Sequence, residues 1–104
     1  MAKPRRPGKI EDVLERVRQK SKSGEYVPVE HAKLRMDQRE VTDPEVRYVL
    51  SHGHREPKKD EFKDEHKAWN YSMRGKTADG RQLRIVVSFD SNDMLLITVI
   101  DLEK

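Results

Sequence analysis

The 104 residues are 39% charged and 34% hydrophobic, which suits one small domain with a thin core and excludes a second core. No run approaches the roughly 18 consecutive apolar residues of a membrane span. The basic amino terminus lacks the apolar stretch of a secretory signal, and the absence of cysteine excludes disulfides, thiol chemistry and cysteine-bound zinc, so a cytoplasmic location is expected. The net charge of +3 is uneven: residues 1–24 carry eight Lys/Arg against three Asp/Glu, residues 25–104 fourteen against sixteen. Any nucleic-acid contact must therefore use the basic leader and a local cluster.

Residues 1–9, with Pro4, Pro7 and Gly8 among Lys and Arg, read as a disordered basic arm, and residues 10–104 as a single α+β domain. Ile10, Val13, Leu14 and Val17 fall at helical spacing, with Glu11 and Asp12 in the first turn and Ser21–Gly24 as the stop. Pro28 suits the first turn of a second helix with a narrow stripe of Val29, Ala32 and Met36. Thr42-Asp-Pro-Glu45 is a capping box opening a third helix with Val46, Val49 and Leu50 on one face and Gly53 at its end.

After Gly53 the period changes to two. His54–Pro57 reads as a short edge strand and Lys58–Lys67 as a charged, mobile connection. Trp69, Tyr71 and Met73 alternate with Asn70, Ser72 and Arg74, and Asp79-Gly80 turns the chain into Leu83, Ile85, Val87 and Phe89. Ser91-Asn-Asp93 marks another tight turn, and Met94–Ile100 reads as a central strand covered on both faces. The expected architecture is N-terminal helices on one face of a mostly antiparallel sheet of three to four strands.

Within the second helix His31, Arg35 and Arg39 recur every four residues, which stacks an imidazole above two guanidiniums. Such a set can hold a phosphate and move a proton beside it. The alternative is a core-boundary role, with the cations pairing to Asp37, Glu40 or Glu45.

The run His31-Ala-x-x-Arg-Met-x-x-Arg39, the capped helix ending at Gly53, the hairpin at Asp79-Gly80 and the closing strand Leu96-Ile-Thr-Val99 resemble a bacterial domain of unknown function. That domain is grouped with the RelE/ParE-like toxins, in the wider set of RNA-cleaving folds that includes barnase and the colicin nucleases. The likeness covers about residues 26–102. It implies a sheet that cradles RNA, metal-independent cleavage through the 2′-hydroxyl without a cofactor, and an antitoxin protein as partner. The chain departs from the ribosome-dependent members in ending Asp101-Leu-Glu-Lys104, where they have a basic tail.

Such cleavage needs a base, an acid and cations for the pentavalent phosphorane. His31 suits the proton transfers and Arg35 and Arg39 the phosphate, while Arg84 and Arg74 can reach in from the polar sheet face. Thr98 either lines the same site or bonds a neighbouring carbonyl. Trp69 and Tyr71 either stack bases or form a core layer. His52-Gly-His54 with His66 lacks a third ligand at defined spacing, so no metal is expected. A second reading is a non-catalytic module on the same scaffold that binds protein or nucleic acid.

Overall fold

The computed structural model describes residues 7–90 and 93–103. It contains α1 (Val13–Ser23), β1 (Tyr26–Pro28), α2 (Glu30–Gln38), α3 (Asp43–His52), β2 (His54–Arg55), β3 (Glu61–Lys63), β4 (Ala68–Lys76), β5 (Gln82–Phe89) and β6 (Met94–Asp101), with a 3-10 turn at Pro57–Lys59. The sheet runs β1-β6-β5-β4, and β2 and β3 share the far edge of β4. Among the described residues only β1 with β6 is parallel, so the fold is α+β with a mixed sheet.

Alternation decides which sheet face is covered. Tyr71, Met73, Leu83, Ile85, Val87, Leu96 and Val99 are buried against Val13, Val17, Val46, Val49 and Leu50 of α1 and α3. The helix α2 runs along β6 instead, with Ala32 buried and Met36 packed on the core. Three local devices set the helix ends. Gly24, at φ +71, closes α1 in the left-handed conformation as Glu25 N–H donates to Lys20 O at 2.8 Å. Thr42 and Glu45 form the expected capping box, with Thr42 N–H donating to Glu45 Oε1 at 2.9 Å and Glu45 N–H to Thr42 Oγ1 at 3.3 Å. Gly53 ends α3 at an ordinary φ of −78; glycine is needed because a Cβ there would stand 2.5 Å from Arg74 O and 2.6 Å from Val49 O.

The structure corrects several expectations. The sheet has six strands rather than three or four, because β1 and β3 are both present. Pro28 ends β1 instead of opening α2; its missing N–H is tolerated on an edge strand, and the ladder continues through Val29 N–H to Leu96 O at 3.0 Å. The tract 58–67 is a short hairpin: Phe62 pairs in register with Trp69, their rings 5.6 Å apart edge to face. Pro7–Ile10 are docked, with Trp69 Nε1 donating to Pro7 O at 2.8 Å, Lys9 Nζ 4.9 Å from the Trp69 ring centre, and Ile10 N–H donating to the Tyr71 hydroxyl at 3.0 Å. Trp69 and Tyr71 thus belong to the packed side. Residues 1–6 of the arm and Ser91 and Asn92 of the last turn lie outside the described residues. No helix among the described residues is long and apolar enough to cross a membrane.

The other sheet face carries no helix layer among the described residues. There β6 leaves Leu95, Ile97 and Ile100 only half-buried, contrary to the expectation of cover on both sides.

Candidate functional site

The groove over this open face begins with a register shift. Val86 pairs with Thr98 but Val87 pairs with Leu96, so Ile97 is an extra residue in β6. The bulge turns both Ile97 and Thr98 toward the uncovered side, where they line a hollow of about 330 Å³ with Val86. His31 joins that lining from α2, one residue before the buried Ala32. Its imidazole is exposed and has no hydrogen bond or ion pair among the described residues.

Cations reach the hollow from three other elements. Arg84, on the polar face of β5, forks onto Glu56 with Nε–Oε1 at 2.7 Å and Nη2–Oε2 at 3.3 Å. The Arg84 hydrogen bond, helped by the charges of Arg84 and Arg74, holds the Glu56 carboxyl below its ordinary value against the opposing effect of burial. Lys63 of β3 lies 2.7 Å from Glu61, and Lys59 of the 3-10 turn has no ion pair among the described residues.

Beneath that edge Asp60 fixes the strands that carry the cations. Its carboxylate is fully buried, receives both Nη atoms of Arg55 at 2.9 and 2.6 Å and the Ser72 N–H at 2.9 Å, and pairs with Lys9 at 2.9 Å. Burial alone would raise its pKa; the Arg55 fork, the Ser72 amide and Lys9 outweigh it and hold the carboxyl below its ordinary value.

A second hollow of about 760 Å³ continues the first and shares His31, Asn70 and Ile97 with it. Its lining is mainly apolar, from Val29, Ala68 and Leu95, with His66 and Lys67 of the β3–β4 turn and Phe89 and Asp90 at the end of β5 also present, the Phe89 ring itself packing edge to face on Tyr71.

The structure therefore gathers His31, Arg84 and Thr98 of the six residues singled out in the sequence. Arg35 and Arg39 do not line the groove: Arg35 donates to Gln38 Oε1 at 2.9 Å, and Arg39 donates Nε to Val99 O at 3.1 Å, on the stretch of β6 beyond the end of β1. Arg74 turns to Gln82 Oε1 at 2.8 Å, with Glu56 3.7 Å away, and also lies outside the lining. Of the two readings of Thr98, the groove position is the one found, and its hydroxyl has no hydrogen-bond partner among the described residues.

Lys59 and Lys63 were not singled out by the sequence, because the tract 58–67 carries one apolar residue, Phe62, between charged neighbours; His66 was weighed there only as a metal ligand, and Asn70 only as a polar residue alternating in a strand. His52 is engaged elsewhere, its Nδ1 2.9 Å from Tyr48 O and its ring stacked on Tyr48. Among the described residues no three His, Cys, Asp or Glu side chains gather in a metal-binding group.

Fold and groove together define a small α+β domain with one sheet face packed on helices and the other open and rimmed by cations. A family model described as a domain of unknown function (DUF4258) matches residues 29–101, and the chain belongs to that family. The match takes in the groove and leaves α1 and the docked segment Pro7–Ile10 outside. No curated protein and no solved structure matches the chain.

Proposed function

We propose that this domain is a RelE/ParE-like endoribonuclease that cleaves RNA through its 2′-hydroxyl without a metal, as the toxin of a toxin–antitoxin pair held in check by an antitoxin protein. The observation that supports it is an imidazole, His31, without a partner among the described residues, beside a hollow carrying Arg84, Lys59 and Lys63. In this reading His31 accepts the 2′-hydroxyl proton, the 2′-oxygen forms a bond to phosphorus, and the P–O5′ bond breaks. Water protonates the departing 5′-oxygen and the protonated His31 returns its proton to solvent, giving a 2′,3′-cyclic phosphate, a free 5′-hydroxyl and a neutral His31. Arg84 and the two lysines offset the charge that builds on the phosphorane oxygens. Arg35 and Arg39 have no direct part in this scheme, since their contacts lie elsewhere.

A second reading, a binding module without catalysis, is favoured by the pairing of Arg84 with Glu56 and of Lys63 with Glu61, which weakens the pull on a phosphate. Digestion of RNA by the purified protein in chelator separates the two. The first reading expects cleavage and slowed growth on expression, both lost in His31→Ala. The second expects intact RNA and binding that survives His31→Ala.

A further inference from the structure

The cleavage scheme uses only the cationic half of the groove. The adjoining hollow is more than twice as large and carries the greater apolar surface, from Val29, Ala68 and Leu95, with His66, Lys67 and Asp90 also present. Between the two stand His31, Asn70 and Ile97. A ligand that fills both halves has an anionic end, a flat apolar end, and a polar hinge between them.

Resting on the reading above, we propose that the apolar hollow is a nucleobase subsite, so that the groove holds one nucleoside 3′-phosphate unit of single-stranded RNA. The base lies over Leu95 and Ala68, the phosphate among Arg84, Lys59 and Lys63, and the ribose at the junction beside His31 and Asn70. This polarity puts the 2′-hydroxyl next to His31 and the 3′-phosphate in the cationic hollow, the order that transfer from the 2′-oxygen requires.

Asn70 supplies an independent observation. Its neighbours on the same face have committed their hydroxyls, Ser72 to Lys59 O at 3.2 Å and Ser88 to Trp69 O at 2.9 Å. The half-buried carboxamide of Asn70 has no hydrogen-bond partner among the described residues. An amide offers both a donor and an acceptor, and a ribose 2′-hydroxyl is both as well. Asn70 is therefore a positioning residue that distinguishes ribose from deoxyribose.

Calorimetric titration of the full chain in chelator with adenosine 3′-monophosphate, its 2′-deoxy analogue and inorganic phosphate tests this without turnover. The ribonucleotide is expected to bind about tenfold or more tightly than inorganic phosphate, as base burial predicts. It should bind about fivefold more tightly than the deoxy analogue, the worth of one hydrogen bond. Asn70→Ala should erase the difference between the two nucleotides, and Leu95→Asp should weaken both while leaving inorganic phosphate unchanged.

Equal affinity of wild-type protein for the ribonucleotide and inorganic phosphate would overturn the subsite, whatever the variants do. Nucleotide binding with the expected variant effects but intact RNA would uphold the subsite and remove the nuclease. RNA cleavage with no preference for nucleotide over phosphate would do the reverse.

Discussion

Two residues of the groove region separate function from stability. His31 is exposed and makes no bond within the described fold, so His31→Ala should leave the unfolding free energy from urea denaturation within about 0.5 kcal/mol of wild type while abolishing RNA cleavage. Asp60 is the opposite case: Asp60→Ala removes the buried partner of Arg55, Lys9 and the Ser72 amide, and should cost about 3 kcal/mol in urea denaturation. Because the folded-state pKa values of Asp60 and Glu56 are lowered, their stabilisation is complete above the unfolded values, 3.8 and 4.5, and is lost as pH falls through the folded ones. Thermal melts should therefore fall steadily below about pH 4.5, and Asp60→Asn should flatten that decline. A wild-type melting temperature that stays level down to pH 2 would contradict this role.

None of the Asp60 network was legible in the sequence, where the residue is one charge in a charged tract. His31 was legible, since helical spacing singled it out. That same spacing suggested a three-residue cluster, but spacing reports which side chains share a helix face and not what lies opposite them. Arg39 faces a carbonyl of β6 that β1 is too short to cover.

At the level of elements, strong local chemistry made α3 readable at both ends. Thr42→Ala should cost about 1 kcal/mol through loss of the cap, measured by the same denaturation. Gly53→Ala should cost about 1–3 kcal/mol, because α3 and β4 meet backbone to backbone there and a Cβ has no room. That Gly53 closes α3 was visible in advance; that crowding rather than a left-handed φ demands it was not, since the Arg74 carbonyl comes from a distant strand. The alternation of β4 and β5 was visible for the same reason that their inner faces are buried, a period of two over several residues, whereas β6 was visible as a nearly continuous apolar run. β1 and β3 have three residues each, too short for a period, and exist because β6 and β4 offer them edges.

Across the whole molecule, α1 and α3 cover one sheet face, and the other is left as a groove with a cationic and an apolar half. The apolar character of β6, read in the sequence as double cover, instead supplies part of the groove lining through Leu95, Ile97 and Ile100. Sequence period could show that both faces of this strand are apolar, but not that one lacks a covering layer. The central claim is that His31 moves the proton that starts RNA cleavage in this groove. Its most direct test is digestion of a single-stranded RNA in chelator by wild-type protein and His31→Ala, with the product ends identified by mass spectrometry. The expected result is 2′,3′-cyclic phosphate ends from the wild type and none from the variant. Intact RNA with the wild type, or equal cleavage by both proteins, would contradict it.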